Sequence, residues 1–131
     1  MALNKVALDT NIAIEILNNN SVTIQSLHAF DMIYLPVVVC GELIYGAINS
    51  SRVRYNLSRY ESFISDCEVL HANLDVSLKY ASFKKSLKDT GCPIPENDIW
   101  IAAICATFEM PLFTRDGHFR SIKALELINR C

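Results

Sequence analysis

This 131-residue sequence predicts an α/β fold, with a mostly parallel central sheet of four to five short strands flanked by helices. Two observations lead there. Short apolar runs alternate with longer segments of helical periodicity, which is the pattern of strands covered on both faces. The chain is 51% hydrophobic with only 4 Gly and 4 Pro, so it excludes disorder and leaves little loop. Its length suits one domain, residues 1–131, around a single core.

The elements follow in order. "KVAL" (5–8) is an apolar run that stops at "DTN", a set of helix-capping residues. "IAIEIL" continues as a short helix, and "NNNS" breaks it. Ser21 is placed to cap a second helix carrying Ile24, Leu27 and Phe30. "MIYLP" (32–36) reads as a buried strand closed by Pro36, which also suits the first turn of a following helix. In "VVVCGELIYGAINS", residues 37–39 favour a strand and 42–49 a helix, and the reading adopted is a helix from Pro36.

A fourth helix spans 55–66, with Leu57, Tyr60, Phe63 and Ile64 on one face, and "CEVL" (67–70) is the third strand. Residues 74–90 form an amphipathic helix with Val76, Tyr80, Phe83 and Leu87 inside and Lys84, Lys85 and Lys88 outside. "TGCPIPEND" (90–98) is a loop, 98–109 a buried helix, "PLFT" (111–114) the fourth strand and "LELIN" (125–129) the fifth.

Several function classes fall away on composition. A net charge of −2 provides no broad basic field, so nucleic-acid binding would rest on a local patch. The five cysteines (40, 67, 92, 105 and 131) form no CxxC pair and are odd in number, which suits reduced thiols in the cytosol. No apolar segment approaches the roughly 20 residues of a membrane span. Asp9 interrupts the N-terminus before a signal-peptide core could form. The expectation is a soluble, cytoplasmic protein with no membrane partner.

Four acids stand out by position. Asp9 ends the first strand, Glu42 interrupts an apolar helix, Asp98 opens the buried helix, and Asp116 follows the fourth strand in "TRDGHF". In open α/β sheets ligands bind beyond the carboxyl ends of strands, where Asp9 and Asp116 fall. Each has a plain structural reading as well: Asp9 and Asp98 are good N-caps, and Asp-Gly at 116–117 is a common turn pair. Glu42 resists it, because its helical neighbours Val38, Val39, Tyr45 and Gly46 are largely apolar. An unpaired carboxylate there costs several kcal/mol or shifts its pKa. Asn97 can cap the buried helix as well as Asp98 can, which would leave the Asp98 side chain free. Were all four to converge, a divalent cation would be needed to tolerate them, and an all-oxygen set selects Mg²⁺ or Mn²⁺ over zinc.

"LDTN", "GELIYGA", "NDIWIAA" and "TRDGHF" together resemble the four acidic motifs of PIN-domain ribonucleases, and in order, spacing and length the VapC-like toxins of bacterial toxin–antitoxin pairs. The resemblance covers essentially the whole chain. It implies a PIN-like parallel α/β fold and a metal-binding catalytic cluster of Asp9, Glu42, Asp98 and Asp116, supported by Asn11 and Thr114. It further implies cleavage of RNA with Mg²⁺ or Mn²⁺, leaving 5′-phosphate and 3′-hydroxyl ends, and a cognate antitoxin and a homodimer as partners. Arg52, Arg54 and Arg115 are candidates for RNA contact, Arg115 being equally placed to neutralise the acids. The three histidines are isolated and read as structural, His118 least securely because it lies two residues from Asp116.

Other classes fit less well. Haloacid-dehalogenase-type phosphatases need a second Asp two residues after the first, where Asn11 stands, and receiver domains need a differently placed Asp and Lys. The alternative kept is a non-catalytic PIN-like module that binds protein or RNA.

Overall fold

A computed structural model describes residues 3–128, so Cys131 and Asn129, the last residue of the expected fifth strand, lie outside the described residues. Among the described residues the order is β1 (Lys5–Leu8), α1 (Thr10–Leu17), α2 (Ser21–Ser26), β2 (Met32–Pro36), α3 (Val37–Ile48), α4 (Val53–Ser65), β3 (Glu68–Leu70), α5 (Leu74–Asp89), α6 (Glu96–Thr107), β4 (Leu112–Phe113) and β5 (Leu127–Ile128). Short 3₁₀ turns lie at Leu27–Ala29 and Gly117–Ser121.

The strands form one sheet in the order β3-β2-β1-β4-β5, and all four pairings are parallel. The chain leaves β1 toward β2 and β3, then returns on the other side of β1 as β4. That reversal opens a crevice at the carboxyl ends of β1 and β4. The backbone ladder runs up to its rim, where the Asp9 N–H donates to the Phe113 carbonyl at 3.0 Å.

The central position of β1 explains its composition. Val6, Ala7 and Leu8 are all fully buried, as a strand covered on both faces requires. Helix α6 is apolar almost all round: Ile101, Ala102, Ala103, Ile104 and Cys105 lose all exposure as it packs on α5, α3 and β2. Such a helix can only sit inside a core. Helix α5 keeps the expected two faces, with Val76, Phe83 and Leu87 buried, Tyr80 half-buried and Lys84, Lys85 and Lys88 exposed.

The structure corrects two caps. Asn20 rather than Ser21 caps α2, accepting from the Thr23 N–H at 3.2 Å. The helix ends at Ser26, which leaves Leu27 in the 3₁₀ turn and Phe30 beyond it. Helix α6 begins at Glu96 with Pro95 at the N-cap, so neither Asn97 nor Asp98 caps it. Proline holds φ at −57° at that entry and commits the chain to helix two residues earlier than the polar pattern suggests.

Because Ile101 is fully buried and Leu78 is 65% exposed, their truncations separate core packing from surface effects. Ile101→Ala is expected to lower unfolding stability by about 2–5 kcal/mol. Leu78→Ala should stay within about 0.5 kcal/mol, both read by urea denaturation.

Candidate metal centre

The sheet edge assembles the site from distant parts of the chain. Asp9 follows β1 directly and N-caps α1, its Oδ1 accepting from the Thr10 N–H at 2.8 Å. Its other oxygen accepts from the Thr114 hydroxyl at 2.6 Å, a buried bond that ties the end of β4 to the end of β1. The same Thr114 oxygen accepts from the Asp116 N–H at 3.0 Å. One threonine thereby fixes the Asp9 carboxylate and the Asp116 backbone together. Asp116 in turn caps the turn Gly117–Ser121, with Oδ1 accepting from the His118 N–H at 3.0 Å.

Asp98 is buried in the first turn of α6, so its carboxylate lies at the positive end of the helix dipole. Three of the four acids therefore stand at the start of a helix or turn, where backbone N–H groups favour negative charge. Glu42 is different. It lies mid-way along α3, half-buried, and its Oε1 is fully enclosed without a hydrogen-bond partner. The Thr10 hydroxyl is likewise enclosed and makes no well-formed hydrogen bond, though it lies close to Glu42.

Electrostatics shows that the acids sense one another. Burial pushes the Asp98 carboxyl up to about 6, and the charges of Asp9, Asp116 and Glu42 add to the rise, while a contact with His118 opposes it. Asp9 is raised mainly by burial and a little by Asp116, against the hydrogen bonds from Thr114 and Thr10. Glu42 is raised by burial and by Asp9, although the Thr10 and Asn97 side chains approach closely enough to favour its charged form. Among the described residues, the charges that raise these three acids are one another's and that of Asp116.

This arrangement fits a divalent cation. The donors are hard carboxylate oxygens, one enclosed oxygen lacks a partner, and burial, with repulsion from neighbouring acids added, raises the pKa of Asp9, Glu42 and Asp98. One ligand atom from each of Asp98, Asp116 and His118 lies within 4.8 Å of the others.

The remaining expected residues fall as follows. Thr114 is buried at the centre of the hydrogen-bond set, whereas Asn11 is exposed on α1 and makes no side-chain hydrogen bond among the described residues. Arg115 pairs with Glu15, bonding its two oxygens at 2.8 and 2.9 Å and the Thr23 hydroxyl at 3.1 Å. Glu15 is lowered, chiefly by those hydrogen bonds from Arg115. Arg52 lies over the Tyr55 ring at 3.9 Å, and Arg54 lines a surface groove on α4 with Val53, Leu57, Ser58 and Glu61. Trp100 is half-buried and stacked on Tyr80 with ring centroids 4.0 Å apart.

Sequence reasoning missed two features. Glu15 gave a signal, being a lone acid inside the apolar run "IAIEIL". His118 gave only its nearness to Asp116.

The sequence matches the PIN domain family over residues 6–125. It is 29% identical over 113 residues to Ribonuclease VapC1 of Haemophilus influenzae (strain R2866), covering 83% of this chain and 84% of that protein. The structure resembles that of VapBC2 from Rickettsia felis bound to a DNA fragment from its promoter, with a TM-score of 0.88 and 26% identity over 95% of this chain and 98% of that one. It also resembles VapBC-5 from Mycobacterium tuberculosis, a member of the VapBC family of toxin–antitoxin systems, with a TM-score of 0.78 and 26% identity over 97% of this chain and 99% of that one.

The raised acids give a definite pH dependence. The Asp98 carboxyl titrates at about 6 in the folded chain against 3.8 ordinarily, so the folded state binds this proton more tightly than the unfolded state. Without metal, the resulting penalty is absent below about pH 4, grows through the window to about pH 6, and is fully present above it. The metal-free protein should melt at lower temperature at about pH 8 than at about pH 5. Asp98→Asn should raise the higher-pH melting temperature and flatten the slope, as read by scanning calorimetry in chelator.

Proposed function

The chain belongs to the PIN-domain family, and from that premise we propose that it is a divalent-metal-dependent endoribonuclease, the toxin of a toxin–antitoxin pair. The observation that carries this reading is the convergence of four carboxylates at the carboxyl edge of a parallel sheet. The naming of VapC1 as a ribonuclease and the likeness to VapBC structures support the same reading.

In this proposal residues 1–131 act as one nuclease unit, and Asp9, Glu42, Asp98 and Asp116 hold Mg²⁺ or Mn²⁺. When bound, the cation supplies positive charge to the phosphodiester and makes water a stronger nucleophile. The chain's own residues supply the order. Thr114 donates to Asp9 Oδ2, which leaves Oδ1 shared with the Thr10 N–H and fixes the carboxylate plane. The buried body of α6 prevents Asp98 from relaxing away from its like-charged neighbours. Asn11, at the open start of α1, lies where it would meet an incoming strand. Arg52 and Arg54 are free of acidic partners among the described residues and are the candidates for phosphate contact. Arg115 holds Glu15 and serves the loop before Asp116 rather than the substrate.

The proposed partners are an RNA substrate, a cognate antitoxin and a second copy of the chain. A cytoplasmic location is proposed with them. Among the described residues no helix is long and apolar enough to cross a membrane.

RNA incubated with the purified chain, freed of any partner, should be cut when Mg²⁺ or Mn²⁺ is present and spared in chelator. Asp98→Asn should slow cleavage by about a hundredfold or more, the loss expected when a charge-stabilising group is removed. A chain that cuts nothing with either metal, and whose effect on cells Asp98→Asn leaves unchanged, would overturn the nuclease reading in favour of a non-catalytic binding module.

A further inference from the structure

Beyond the four carboxylates, we propose that His118 is a direct nitrogen ligand of the same metal site, and that it biases the site toward Mn²⁺ over Mg²⁺. This rests on the carboxylate reading above.

The imidazole is placed by the fold. His118 lies in the 3₁₀ turn Gly117–Ser121, whose next residue, Phe119, is fully buried and anchors it. Its backbone N–H is held by Asp116 Oδ1 at 3.0 Å. Its ring Nδ1 stands 3.0 Å from Asp116 Oδ1 and 3.6 Å from Asp98 Oδ2. The side chain is 53% exposed, so the ring has room to turn without disturbing the core.

Those separations have a specific meaning. Around an octahedral ion with bonds of about 2.1 Å, neighbouring donor atoms lie about 3 Å apart. The nitrogen stands at that spacing from Asp116 Oδ1 and 3.6 Å from Asp98 Oδ2, and all three donors lie within 4.8 Å of one another, so a small shift of the exposed ring brings them to adjacent corners. A protonated imidazole paired with both carboxylates would stand at the same distances, so the test must detect a metal–nitrogen bond itself.

The chemistry follows from the donor type. Carboxylate and water oxygens suit Mg²⁺ and Mn²⁺ alike, whereas an imidazole nitrogen is a softer donor that Mg²⁺ rarely accepts. Replacing one oxygen by nitrogen should separate the two affinities, with Mn²⁺ gaining.

Metal titration of the whole chain tests this without reference to cleavage. Mn²⁺ and Mg²⁺ affinities are measured for the parent, His118→Ala, His118→Gln and Asp98→Asn, with pulsed EPR of the Mn²⁺-loaded forms. Expected are nitrogen hyperfine coupling in the parent and its loss in both His118 variants. Mn²⁺ affinity should also fall about tenfold or more, with a much smaller change for Mg²⁺. Mn²⁺ bound to the parent without nitrogen coupling, or an unchanged Mn²⁺-to-Mg²⁺ ratio in His118→Ala, overturns the inference. If Asp98→Asn still abolishes binding in that case, the carboxylate site survives and His118 alone is excluded. If Mn²⁺ does not bind the parent at all, the carboxylate reading falls too, and the inference with it.

Discussion

The hydrogen bond from Thr114 to Asp9 joins residues 105 positions apart in the chain, and the rest of the site depends on it. It exists because β1 and β4 lie side by side in parallel, carried to their last residues by the Asp9 N–H and the Phe113 carbonyl. With those two strand ends in register, one hydroxyl orients Asp9 on one side and receives the Asp116 backbone on the other. The acids then face each other because the sheet leaves them no alternative.

Packing supplies the force that electrostatics opposes. Asp98 is held among like charges by a helix whose middle, from Ile101 to Cys105, is fully buried. Moving the carboxylate outward would drag Ile99 and Ile101 with it. Helix starts soften the repulsion at Asp9, Asp98 and Asp116, but Glu42 lies mid-helix and has no such help. Its enclosed oxygen is the place where the metal-free structure is least satisfied. Glu15 and Arg115 show the opposite solution, a carboxylate neutralised internally by a bidentate arginine against the buried Thr23. The fold therefore handles two neighbouring acidic groups in two ways, pairing one and leaving the other open to a cation.

Much of this was legible in the residues. β1 and β2 begin and end where the apolar runs do, because a doubly covered strand must be apolar throughout and the flanking polar residues must leave. The buried helix and the amphipathic α5 were equally plain from periodicity. Helix entries were harder: Pro95 took the start of α6 from Asn97, since a backbone locked near helical φ outweighs a side-chain cap that is merely available. The candidate acids could be chosen from position and from the oddity of Glu42 in an apolar run. Their partners could not. Whether Arg115 faces the acids or Glu15, and whether His118 faces solvent or Asp98, depends on turn geometry after β4. That geometry is set by Phe119 burying and Thr114 bonding across the sheet, and neither is local to the residue in question.

The adjacency of β1 and β4 also bears on how the molecule comes into being. During synthesis Asp9 emerges early, and Glu42 and Asp98 follow. Thr114 and Asp116 emerge only after some hundred residues have left the ribosome, and β4 cannot pair with β1 before then. The sheet to its other side, β1 with β2 and β3, can form without them. A partly made chain would thus hold a sheet and three of its acids while lacking the hydroxyl that aligns the first and the turn that brings the fourth. The four acids are therefore brought together only once β4 has been made and paired with β1.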